Sequence, residues 1–217
     1  YYQRCAHVTH EKPNLVTELS HHPLGVMVVI GPFNFPLHIS MGHIIPALLA
    51  GNTIVWKPSE HTPRICQLLM ECWQEIHLPS GVINLIQGDG VVGELLAIHP
   101  ETDVLAFTGS SHVGRYLSSI YGRFPEKVLA LEMGGNNPVV LGSVEDISAA
   151  VMTILLSAFI TSGQRCSCAR RLIVVESSQN KKVIDQLIKS VKQCVVGAFD
   201  STPEPFMGPL ISQAALD

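Results

Sequence analysis

The sequence predicts an α/β fold in which a parallel sheet is covered by helices on both faces. Two observations predict it. Short runs rich in Val, Ile and Leu recur along the chain, and longer amphipathic stretches separate them. Strands buried on both faces read as continuous apolar runs, and parallel neighbours need a crossover long enough for a helix.

In chain order, the first strand is expected at residues 26–30, followed by a helix at 37–49 and a strand at 53–56. The next helix, at 62–77, has Pro63 near its start, where the missing N–H matters least, and Thr62 as candidate cap. Strands at 82–85, 104–107 and 128–131 alternate with helices at 90–98 and 113–122. After Gly134-Gly135 a second unit is expected, so the domain division is residues 1–133 and 134–217. It has strands at 138–141 and 172–175 and helices at 144–161 and 180–196. Asp146 is expected in the first turn of its helix, where negative charge suits the dipole. Ser201-Thr202-Pro203-Glu204-Pro205 reads as a loop, and no internal repeat is visible.

Composition narrows the function classes. Hydrophobic residues make up 47% and charged residues 15% of the 217 residues, enough for a core and unlike a disordered chain. A net charge of −4 gives no electrostatic reason to expect nucleic acid or an anionic membrane as partner. The longest apolar runs fall far short of the ~20 residues a membrane-spanning helix needs. Six cysteines lack any C-x-x-C spacing, which favours reduced thiols in a cytoplasmic protein. Ten histidines show no ligand spacing (His38 and His43 are five apart on one helix), so no metal is expected. The chain opens on Tyr1-Tyr2-Gln3-Arg4 with no initiator Met, and its last residues read as the start of a helix. Both ends are therefore expected to be cuts through a longer chain.

Several motifs could carry chemistry. In Phe107-Thr108-Gly109-Ser110-Ser111-His112-Val113-Gly114, a strand, a glycine turn and a helix start follow one another. Free N–H groups there suit a phosphate, although a purely structural joint has the same pattern. The spacing is G-x-x-x-x-G, neither the usual dinucleotide fingerprint nor a nucleotide P-loop. Lys57-Pro58-Ser59-Glu60 follows a strand, where Lys57 and Glu60 could bind ribose hydroxyls or simply form a solvated ion pair. An acidic Glu60 would favour NAD over NADP. Gly31-Pro32-Phe33-Asn34-Phe35-Pro36 also follows a strand, and Asn34 either donates to a developing oxyanion or stabilises the turn.

Cys166, beside Arg165 and just after Gly163-Gln164, is either an activated thiolate or an ordinary buried thiol. In extended chain Cys168 would share its face. Glu132 at a strand end could be a partly desolvated general base or one half of a lysine pair. Arg170-Arg171 could recognise an anionic substrate, or Arg171 could hold the Cys166 loop.

Together these segments resemble the aldehyde dehydrogenase superfamily, in the family's order, from about Pro23 to the end. Pro46-Ala47-Leu48-Leu49-Ala50-Gly51-Asn52-Thr53, Leu131-Glu132-Met133-Gly134-Gly135-Asn136-Asn137-Pro138 and Gly163-Gln164-Arg165-Cys166 complete the set. Within the family, Asn136-Asn137-Pro138, Gly42-His43-Ile44 and the stretch from Gly163 to Arg171 look most like the N-succinylglutamate 5-semialdehyde dehydrogenases of arginine breakdown.

The resemblance implies a Rossmann-like, dinucleotide-binding fold with a five-stranded sheet, truncated here at both ends. It implies oxidation of an aldehyde to an acid with NAD as cofactor. Cys166 would be the nucleophile, Asn34 with the Cys166 main-chain N–H the oxyanion donors, and Glu132 the activator of water. Lys57 and Glu60 would bind adenosine ribose, Ser110 the pyrophosphate, and Gly109 and Gly114 the turn around it, with Pro32 and Phe33 beside the cofactor. It also implies a homo-oligomer for the full-length parent, residues 1–20 being part of an interface arm. Succinic or glutamic semialdehydes are the rival substrates. An inactive nucleotide-binding fragment and a cofactor-free cysteine hydrolase are the rival classes, and this chain alone is expected to form negligible NADH.

Overall fold

The computed structural model describes residues 8–13 and 15–217, and these divide at Met133/Gly134 into two compact units. In the first unit, β1 (Val8–Lys12) and β2 (Leu15–Leu19) form an antiparallel pair that the sequence patterning did not predict. The interface arm expected at residues 1–20 lies partly outside the described residues.

The rest of the unit is a five-stranded sheet flanked by helices. Its elements are β3 (Val26–Ile30), α1 (His38–Leu49), β4 (Thr53–Lys57), α2 (Pro63–Glu75), β5 (Ile83–Leu85), α3 (Gly90–Ile98), β6 (Val104–Gly109), α4 (Ser111–Tyr121) and β7 (Val128–Met133). All pairings are parallel, in the spatial order β5-β4-β3-β6-β7. The order reverses between β3 and β6, and in open α/β sheets ligands bind outside the strand ends at such a switch point.

Alternation along the strands separates two cores. Val29, Ile54, Trp56 and Ala106 pack with Ile44 and Ala47 of α1 and Cys66 of α2. Their neighbours Val28, Leu105 and Phe107 pack on the other face with Ala97 of α3 and Leu117 and Tyr121 of α4. Central strands β3 and β6 are thus buried on both sides, which accounts for their unbroken apolar sequences.

The second unit contains β8 (Asn137–Leu141), α5 (Ile147–Phe159), β9 (Ala169–Val174) and α6 (Ser178–Gln193). The two strands are parallel, and Leu141, Val151, Ile154, Leu155 and Val183 form its core. Two local expectations need correction. Asp146 is the N-cap of α5, not a first-turn residue, because its carboxylate accepts from Ala149 N at 3.0 Å. Thr62 stands at the cap position of α2 but its hydroxyl makes no cap hydrogen bond, so Pro63 alone marks that helix start. No helix among the described residues is long and apolar enough to cross a membrane.

Candidate functional site

The carboxyl ends of β3, β4, β6 and β7 carry most of the sequence-predicted residues. After β3, Gly31 N still donates to Lys57 O at 3.0 Å, extending the ladder by one residue. Pro32 is buried there, while Phe33 and Asn34 are half-buried. Phe33 meets His61 edge-on with centroids 6.1 Å apart, tying the loop after β3 to the loop after β4. His61 had no signal in the sequence.

Lys57 is 3% exposed although it ends a strand. Its ammonium donates to Pro58 O at 2.8 Å and lies 3.7 Å from Glu60, whose side chain is 51% exposed. Burial holds the Lys57 pKa below the ordinary lysine value, partly offset by the charges of Glu60 and Asp89. The ion pair that the sequence allowed does form, but around a buried cation and not a solvated one.

At the end of β6, Gly109 is the last strand residue, paired with Met133, and not a turn residue as expected. The Phe107 ring occupies the space a Cβ at Gly109 would need. Ser110 caps α4, its Oγ accepting from Val113 N at 3.3 Å. An accepting hydroxyl keeps its proton free to donate outward. Gly114 lies inside α4, where the Met133 side chain sits against its bare Cα, so it serves helix–strand approach. Thr108 Oγ1 is buried with no hydrogen-bond partner.

Glu132 lies within β7 opposite Thr108 and is exposed. The expected partial desolvation is not present in this unit: β7 is an edge strand, and although α1 and α2 pack on the face that Glu132 shares with Ala106, they leave the Glu132 side chain exposed. His43 on α1 is on that face too. Burial lowers its pKa, and the Glu132 carboxylate pulls it back up.

In the second unit Cys166 is exposed in the turn before β9. Cys168 is 2% exposed, with Sγ 3.7 Å from Ile160 O. The two thiols do not share a face, since the chain between them is a turn closed by Cys168 N donating to Arg165 O at 3.2 Å. Arg171 Nε donates to Asn136 O at 3.1 Å, and it is Asn137 that bonds the Cys166 loop. The five described cysteines are free thiols, and no three metal-ligating side chains cluster among the described residues.

A doubly wound sheet with a buried cation, a capped helix start and an unpartnered hydroxyl at its ligand-binding edge suits an anionic, hydroxyl-rich ligand such as a dinucleotide. Comparison with known proteins then fixes the family. The chain belongs to the aldehyde dehydrogenase family, whose model matches residues 2–217.

Among solved structures, a lactaldehyde dehydrogenase is 35% identical with a TM-score of 0.88, over 99% of this chain and 45% of its own. Betaine aldehyde dehydrogenase from Staphylococcus aureus, in complex with NAD+, is 33% identical with a TM-score of 0.86, over 96% and 41%. Proline utilization A from Bdellovibrio bacteriovorus is 34% identical with a TM-score of 0.88, over 96% and 22%. The chain spans less than half the length of each.

Proposed function

We propose that this chain carries the nucleophile, the general base and the cofactor edge of an NAD-dependent aldehyde dehydrogenase acting on N-succinylglutamate 5-semialdehyde. The observation that carries the reading is Cys166, an exposed thiol held at a bonded turn while its neighbour Cys168 is buried. Asn136-Asn137-Pro138 and Gly42-His43-Ile44 support the substrate. Family membership supports only the class.

In this reading Cys166 Sγ attacks the aldehyde carbon, and Asn34 with the Cys166 main-chain N–H stabilises the developing oxyanion. NAD, when bound, supplies the hydride acceptor that turns the thiohemiacetal into a thioester. Glu132 takes a proton from water, which attacks the thioester carbon and releases the acid and the Cys166 thiolate. Lys57 and Glu60 hold ribose hydroxyls, and the Glu60 carboxylate disfavours a 2′-phosphate. Ser110 donates its proton to the pyrophosphate while its oxygen stays on Val113 N–H. Gly109, against the Phe107 ring, and Gly114, against the Met133 side chain, shape the strand–helix joint that presents Ser110, and Pro32 and Phe33 would flank the bound cofactor. The complete protein works as a homo-oligomer.

The test compares kcat/KM of the full-length protein on succinylglutamate, succinic and glutamic semialdehydes. The first is expected to lead by about tenfold or more, the worth of a few well-placed polar contacts. A rival semialdehyde in the lead would overturn the substrate. Hydrolysis of an activated ester is expected to vanish in Cys166→Ser, and an unchanged rate would remove Cys166 from its role.

A further inference from the structure

The turn that presents Cys166 is anchored at its two ends by different devices. On its entry side Thr161, Ser162 and Gly163 lie in the left-handed region, with φ of 57°, 57° and 67°. Ser162 Oγ donates to Gly208 O at 2.8 Å and Gln164 Oε1 accepts from Ile211 N at 3.0 Å, which fixes that side. On its exit side a carboxamide holds the main chain. Asn137 Nδ2 donates to the carbonyl oxygens of Cys166, at 2.7 Å, and Cys168, at 3.2 Å. A single carboxamide therefore bridges the two carbonyls on either side of Ser167.

Two features of the surrounding chain allow this. A Cβ at Gly135 would stand 2.9 Å from Asn137 Oδ1, so a side chain there would push the carboxamide from the position in which it meets the two carbonyls. The β8–β9 register also slips at this point. Asn137 faces Ala169 and Pro138 faces Arg171, so Arg170 is the extra residue of a bulge. Bulges commonly re-aim a strand end beside a functional site.

We propose that Asn137 is a positioning residue for Cys166, and that Gly135 is glycine in order to admit it. The inference rests on the nucleophilic role proposed above for Cys166. Holding the carbonyls on both sides of Ser167 holds the path of the chain through Cys166, and with it the place of the thiol and the direction of the main-chain N–H. An oxyanion donor displaced by about 1 Å costs orders of magnitude in rate, whereas simple thiol alkylation builds no oxyanion and lacks that requirement.

The experiment measures two reactions of Cys166 in the 217-residue chain and in its Asn137→Asp and Gly135→Ala variants. Asn137→Asp keeps the side chain's size and replaces the donor with an acceptor, and Gly135→Ala displaces the carboxamide without changing residue 137. Acylation of Cys166 by p-nitrophenyl acetate is expected to fall about tenfold or more in both. Alkylation of Cys166 by iodoacetamide is expected to stay within about threefold, and the carbonyl 13C shifts of Cys166 and Cys168 to move as their hydrogen bonds are lost.

Acylation within twofold of the unaltered chain in both variants would overturn the inference and leave the proposed function standing. Equal losses in acylation and alkylation would also overturn it, because they mark collapse of the turn and not aim. If the unaltered chain is not acylated at Cys166 at all, the proposed function fails and the inference falls with it.

Discussion

A half-buried histidine and a buried lysine in the first unit both make its stability depend on pH. The His43 pKa lies below 6.5 in the folded chain, chiefly through burial. As pH falls, the unfolded chain therefore takes up this proton first. Stability should be unaffected well above pH 6.5 and should drop as pH falls from 6.5 through the folded value. Melting curves between about pH 7 and 5 are expected to show a smaller fall for His43→Gln than for the unaltered chain. Because the Glu132 carboxylate opposes the burial effect, Glu132→Gln should lower the His43 pKa further, as read by NMR titration. An unmoved His43 pKa would dissolve the pairing. Lys57 has the same sign: its pKa is depressed, so stability rises as pH climbs from the folded value toward 10.5. The thiols divide by environment as well. Burial pushes Cys66 up to about 11, so at neutral pH it should resist alkylation while exposed Cys72 and Cys166 react. Mass spectrometry after a short iodoacetamide pulse checks this.

At the scale of elements, strand and helix positions were legible where local chemistry decides them. β3 was read at its observed bounds, and the helix before β6 likewise, because both are framed by glycine, proline or a capping aspartate. Asp89 caps α3 by accepting from Val91 N and Val92 N, and Ser110 caps α4. Replacing either with alanine should cost about 1 kcal/mol, measured by urea unfolding. α1 tolerates Pro46 in its interior, and its end is tied to the sheet because Asn52 Oδ1 accepts from Leu24 N and Gly25 N at 2.7 and 3.1 Å. That role for Asn52 was not legible: no local pattern says that an asparagine after a helix reaches back 28 residues. The antiparallel β1–β2 pair was missed for a related reason, since the pairing of each strand with the other is not written in either run of residues.

On the scale of the whole chain, each unit has its own apolar clusters, two in the first and one in the second among the described residues. β3 and β6 are covered on both faces, whereas β8 and β9 leave Val140 64% and Ile173 48% exposed. Hydrogen exchange should therefore be slowest in β3, β4 and β6 and faster in β8 and β9. Equal protection in the two sheets would contradict this ordering. Trp56→Ala removes the largest fully buried side chain and should cost about 3–5 kcal/mol in the first unit.

By itself the sequence determined the alternation of strands and helices, and with it the parallel sheet, because apolar runs and glycine breaks act over a few residues. It also singled out the residues whose chemistry is written in their type: Cys166, Glu132, Asn34, Lys57 and Ser110. Only the tertiary structure decided their surroundings. It left Glu132 on an open edge strand, buried the Lys57 ammonium, moved Gly109 from turn to strand, and parted Cys166 from Cys168 by a turn. It alone showed Asn137 holding that turn, 29 residues from the Cys166 carbonyl to which it donates. Burial and long-range hydrogen bonds depend on which segments meet in space, and no local run of residues encodes that.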